Sequence, residues 1–193
     1  MTAGTRNHTS DTRNKLVREA ANMSQSIGYE ALSLQDLADE LGIRKASIFH
    51  HFSSKDDLAV AVIESDIHTF HFFVKNHEAQ DAAQRLSKYF DFYRDLLKNG
   101  RVCPASAFAI SWPNLSTRVQ SALVRLHKEH FAFLEDVIHD GVSAGQFHLV
   151  ANISDIVHGL PDMLQGAVQV ARASGNAIPI NRLERLTLKL LGC

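Results

Sequence analysis

A chain of 193 residues with a formal net charge of -1 is long enough for one large or two small domains around a real core. Its 45% hydrophobic and 21% charged residues are ordinary for a globular protein, and the near-zero charge excludes a globally basic nucleic-acid binder, so any such role must rest on a local patch. Two cysteines, Cys103 and Cys193, make no disulfide framework. The longest aliphatic run, Leu58–Ile63, is far too short to span a bilayer, and Arg6 has no apolar stretch behind it to make a signal peptide. A cytoplasmic protein without a membrane partner is expected.

The first ten residues, MTAGTRNHTS, are small and polar and read as a flexible arm. From Asp11 the spacing becomes helical, with Leu16, Val17, Ala20, Ala21 and Ile27 on one side and Gly28 as the stop. Ser33 precedes LQDLADEL with Asp36 three positions on, close to a capping box; Leu34, Leu37, Ala38 and Leu41 form its buried stripe, and Gly42 ends it. A short helix from about Arg44 to His51 follows. Ser54 then caps a long helix running to about Lys75, with Asp56 and Asp57 in its first turn. Helical spacing returns near Ala79–Lys98, then from Ser116 to about Ser143, from Asn152 or Ser154 to Ala173, and from Pro179 onward. Pro104 and Pro113 bracket a short apolar segment, ASAFAISW. The chain is expected to be all-α, with about nine helices and a boundary near residues 55–60.

The charges are unevenly spread in LADELGIRKASIFHHFSSKDDL. No acid lies between Glu40 and Asp56, while Arg44, Lys45 and Lys55 fall in or beside that window. Ala38 is small where a second helix must cross, Gly42 allows a sharp turn, and Ile43 and Ile48 offer anchors. This is the logic of a helix-turn-helix, whose second helix offers its first side chains to the DNA major groove. Arg44, Lys45 and Ser47 are those side chains. A carboxylate among them would repel phosphate.

The stretch from Thr12 to Leu58 resembles the N-terminal DNA-binding domain of TetR-type transcriptional regulators. The resemblance lies in Thr12-Arg13, Ala20-Ala21, Gly28-Tyr29, Ser33, the LADELGI turn, Ser47-Ile48, His51-Phe52 and Ser54-Lys55. It implies a helix-turn-helix domain over residues 1–57 and an effector-binding and dimerisation domain over 58–193. Ser33 should cap its helix beside a phosphate, Arg44, Lys45, Ser47 and His50 should lie at the groove, and Lys55 should hold backbone phosphate. The family usually carries Tyr where this chain has Phe49, so that packing is kept and a hydroxyl contact to phosphate is lost. Arg44 stands where a small polar residue is more usual. The implied partners are a palindromic double-stranded operator, a small-molecule effector and a second copy of the chain, with repression relieved by a largely apolar or electrophilic effector.

In such proteins the later helices enclose the effector, and the last two pair with a second subunit. Candidate pocket residues are Phe70, Cys103, Phe108, Trp112, His130, Phe133 and Met163; candidate dimer residues are Ile156, Leu160, Leu164, Leu183, Leu186 and Leu190. Those last apolar residues equally well bury one another within one chain. Cys103, beside Pro104 and near Arg101, reads either as a reactive thiol or as a small buried hydrophobe. Among 11 histidines, His68/His71 and His127/His130 sit at i, i+3, but neither pair has zinc-hydrolase spacing, and Glu129 is read as pointing away. No cofactor and no metal are expected. Two rivals to the regulator remain: an all-α metal-dependent enzyme using the histidine pairs, and a helical protein-interaction module.

Overall fold

The computed structural model describes the backbone from Ala3 to Cys193 and side chains from Asp11 onward. Among the described residues the regular structure is entirely helical: α1 (Ala3–Ile27), α2 (Leu34–Glu40), α3 (Lys45–Phe49), α4 (Lys55–His77), α5 (Ala82–Lys98), α6 (Pro104–Ala109), α7 (Thr117–Ser143), α8 (Ile153–Ser174) and α9 (Ile178–Leu190). A single 3-10 turn, Trp112–Asn114, precedes α7. The expected N-terminal arm is mostly helix: α1 begins at Ala3, because no proline interrupts the polar residues before Asp11, and Met1 and Thr2 lie outside the described residues. The short third helix is one residue shorter at its start and two at its end than its spacing predicts.

The chain packs as two compact units that do not divide at residues 57/58. One is the stretch through His68 together with Pro104–Leu126; the other is Thr69–Cys103 with His127–Cys193. α4 and α7 each contribute to both, so their uninterrupted periodicity hides the division from a reading along the chain.

In the first unit, local signals set the geometry. The Ser33 side chain accepts from the backbone N–H groups of Gln35 and Asp36 at 3.1 and 3.3 Å, holding the first turn of α2. At the other end Gly42 adopts φ +63°. Its N–H donates to the Asp39 carbonyl and that of Ile43 to the Ala38 carbonyl, at 3.1 and 2.9 Å, the paired bonds of a Schellman ending. The chain therefore turns sharply into α3. Ile48 is fully buried and Ile43 half-buried. Replacing Ser33 by Ala should cost about 1 kcal/mol, because two backbone donors lose their acceptor. Urea denaturation of the two proteins checks it, and an unchanged midpoint contradicts the cap.

In the second unit α5, α8 and α9 pack on one another. Ile156, Leu160, Leu164 and Leu183 are buried in this packing inside one chain, so four of the six predicted dimer residues are core. Leu190 is half-buried and Leu186 is 45% exposed. The outward side of α8 instead carries Asp155, Asp162, Met163, Gly166, Gln169, Val170 and Ala173. A periodic stripe marks the face that must leave water, but it does not say whether α9 of the same chain or of another copy covers it.

Candidate nucleic-acid interface

α3 is a single short helix with one buried pole. At about 100° per residue, and with Ile48 as the pole, Lys45, Phe49, Ala46 and His50 fall at about 60°, 100°, 160° and 200° around the axis. All four are exposed, and Ser47, on the remaining side, is half-buried. Arg44 precedes the helix in extended conformation (φ -79°, ψ 140°), is exposed, and makes no side-chain cap bond. Its guanidinium therefore has no structural duty in the turn. With no carboxylate between Glu40 and Asp56, the face is a set of donors around an aromatic ring.

Ser33 and Lys55 stand at the starts of α2 and α4, on either side of α3 along the chain. The Ser33 oxygen is occupied as an acceptor, but its hydroxyl hydrogen can still be donated to an anion. Lys55 is half-buried at the start of α4: its Nζ lies 4.3 Å from the centre of the Tyr29 ring and donates to the Glu30 carbonyl at 3.4 Å. Burial pulls the Lys55 pKa below its ordinary value, against the neighbouring carboxylates of Glu30 and Asp56. Tyr29 in turn donates its hydroxyl to Asp56 Oδ1 at 2.8 Å and stacks on Phe108, ring centres 4.9 Å apart. Burial, then the bond to Asp56, raises the Tyr29 pKa well above that of a free phenol, so the bond keeps its proton. Tyr29 and Asp56 thus position Lys55. Their partnership spans 27 residues and has no periodic signature; only the Gly28-Tyr29 pair after the helix stop hinted at it.

The predicted effector residues divide between the two units. Phe108 belongs to the first unit, where it packs on Tyr29, and so does Trp112, which is exposed. Met163 is exposed on α8. In the second unit Phe70 stacks on the His130 ring with centres 3.9 Å apart, and Phe133 meets Phe70 edge-on at 5.6 Å. The hydroxyl of Tyr89 lies 3.0 Å from His130 Nδ1 and 3.2 Å from the Tyr93 hydroxyl. Cys103, only 2% exposed, is 3.4 Å from Gln165 Nε2. Tyr89, Tyr93 and Gln165 were not anticipated, since helical spacing makes any aromatic on a stripe look like core. Two clefts, of about 750 Å³ between α1 and α4 and about 350 Å³ at the ends of α5 and α8, include none of the predicted effector residues in their linings.

Burial, and then the nearby His127, lowers the His130 pKa to about 3. The folded protein therefore holds a neutral ring where the unfolded chain would take up a proton below about pH 6.5. His130 costs no stability above that pH, and an increasing amount as pH falls from 6.5 toward 3. We expect melting temperatures of a His130→Phe variant to fall less steeply than wild type between pH 6.5 and 4. Parallel slopes would contradict a buried neutral histidine. Glu129, which lies between the two histidines of the second pair, has its Oε2 2.8 Å from Nε2 of His71 in the first pair. Among the described residues no group of three or more His, Cys, Asp or Glu side chains could hold a metal ion.

Residues 16–62, which contain α2, the turn and α3, match the family described as "Bacterial regulatory proteins, tetR family". By this match the stretch is a TetR-type DNA-binding region. A curated relative, the HTH-type transcriptional repressor KstR2 of Mycolicibacterium smegmatis, is 33% identical over 63 residues, 33% of this chain and 31% of that protein. This alignment covers less than a third of that relative's length. The HTH-type transcriptional repressor DhaR of Mycobacterium sp. GP1 is 21% identical over 93% of this chain and 91% of its own. A TetR-family transcriptional regulator from Agrobacterium tumefaciens superimposes with a TM-score of 0.88 at 21% identity, over 95% of this chain and 98% of that one. The TetR fold thus extends through both compact units, while the stronger sequence likeness stays with the helix-turn-helix.

Proposed function

We propose that this chain is a TetR-family, ligand-responsive DNA-binding transcriptional regulator that represses from a palindromic operator as a cytoplasmic homodimer. The observation that carries the reading is the outer face of α3: Arg44 and Lys45 exposed, His50 exposed, and no acid in the whole window. Residues 1–57 are the proposed DNA-binding region, with Ser33 and Lys55 holding phosphate and Arg44, Lys45, Ser47, Phe49 and His50 at the groove. Among the described residues no helix is long and apolar enough to cross a membrane. Selective retention of one duplex over its scrambled sequence by the full-length protein tests the reading. Equal retention of both would leave only an electrostatic, non-specific binder.

The dimer proposal moves to the outward side of α8 and α9. Gly166 has nothing within 4 Å of where a Cβ would stand, so a second helix can approach closely there. Met163 and Val170 flank it, and Leu186 adds apolar surface on α9. Asp155 and Asp162 on α8 face outward, as do Arg182, Arg185 and Lys189 on α9. Where a two-fold arrangement sets α8 of one copy against α9 of the other, the opposite charges support self-pairing.

For the effector, the proposed region is the second unit's cluster of Phe70, Tyr89, Tyr93, His130 and Phe133, with Cys103 beside Gln165. A few polar groups converging among aromatic rings suit a largely apolar ligand with one hydrogen-bonding end. Cys103 is the proposed target of an electrophile only if that cluster opens, because a buried thiol is shielded from reagents.

A further inference from the structure

Phe49 does not do what an aromatic on a small helix ordinarily does. It is 49% exposed, whereas Ile48 beside it is fully buried and Phe52 nearly so. On the α3 wheel it stands about 100° from the buried pole, between Lys45 on one side and Ala46 and His50 on the other. The centre of the donor face is therefore apolar, made of a phenyl ring and the Ala46 methyl, and the cations lie at its edges. A ring without a hydroxyl can neither donate to phosphate nor read a base by hydrogen bond. The one apolar group that B-DNA presents in its major groove is the thymine C5-methyl.

We propose that Phe49 is a specificity-determining residue that packs on a thymine methyl, so that each half-site carries an obligatory A·T pair opposite the middle of α3. The inference rests on the DNA-binding reading above and goes beyond it by naming the base. Ala46, about 60° further round the axis, extends the same apolar strip. Lys45 and Arg44 then contact phosphate or guanine beside it. Removing one methyl from such a contact should weaken binding about four-fold per half-site, and about fifteen-fold when both half-sites are altered.

The test uses the full-length protein and a duplex enriched by it from random sequence. Each thymine of the half-site is replaced in turn by deoxyuridine, which lacks only the methyl, and affinity is measured for wild type and for Phe49→Ala. The expected result is one thymine whose replacement weakens wild type by the stated factor and leaves Phe49→Ala unchanged. Circular dichroism of the variant should match wild type, since half of the ring is already in water. If Phe49→Ala weakens thymine and deoxyuridine duplexes alike, the ring packs on sugar and the proposal is overturned. It is also overturned if the enriched half-site has no thymine sensitive to deoxyuridine. Failure to enrich any duplex at all overturns the DNA-binding reading itself, and this inference with it.

Discussion

Truncating Arg44 or Lys45 to Ala is expected to weaken operator binding by about 1–3 kcal/mol per half-site while leaving the melting temperature within a degree or two of wild type. Both side chains are exposed, and Arg44 makes no cap bond that folding would miss. In a two-fold complex each substitution acts twice, so the loss runs from about thirty-fold to many thousand-fold. The two residues should differ in kind. An Arg44 bonded to a guanine edge would on removal relax preference at one base pair. A Lys45 bonded to phosphate would weaken all sequences alike and reduce the salt dependence of binding by about one counterion per contact. Gel-shift titration at two salt concentrations separates these outcomes. Unchanged affinity in both variants would remove α3 from the interface.

The second large effect is expected at the outward side of α8. Val170 is 57% exposed in the isolated chain, so Val170→Glu places its charge in water there and leaves folding intact. In a dimer built on this side the carboxylate would be buried twice across the two-fold axis. A cost of about 3 kcal/mol raises the dissociation constant by a hundred-fold or more. Leu186→Glu should act in the same direction, being 45% exposed on α9. Leu164→Glu should behave differently, because Leu164 is fully buried within the chain and a charge there opposes folding itself. Light scattering with parallel thermal melts tells dissociation from unfolding. A wild-type monomer at micromolar concentration would refute the dimer, and a dimeric Val170→Glu would place the interface elsewhere.

These substitutions separate two kinds of information. The capped start of α2, the turn at Gly42, the core role of Ile48 and the acid-free window were all legible along the chain. The first three depend on residues within four or five positions of one another: a hydroxyl three before a free N–H, a backbone that needs positive φ, a stripe that repeats every turn; the window is read directly from the consecutive residues between Glu40 and Asp56. The TetR resemblance added roles to the same short span, which the matched residues 16–62 contain.

What the chain did not disclose was pairing over distance. Tyr29 bonds Asp56 across 27 residues, Tyr89 reaches His130 across 41, and Cys103 meets Gln165 across 62. Burial is of the same kind: Ile156, Leu160 and Leu164 on α8 and Leu183 on α9 carry the right spacing, but they are already buried within one chain, where α8 and α9 pack on each other. Periodicity states that a side must be covered, and composition states that something apolar covers it. Which surface does so depends on how the helices stack, and only the tertiary structure holds that. For this protein the sequence by itself determined the helices, their stops and a donor-rich turn; the fold decided which side chains remain outside to use them.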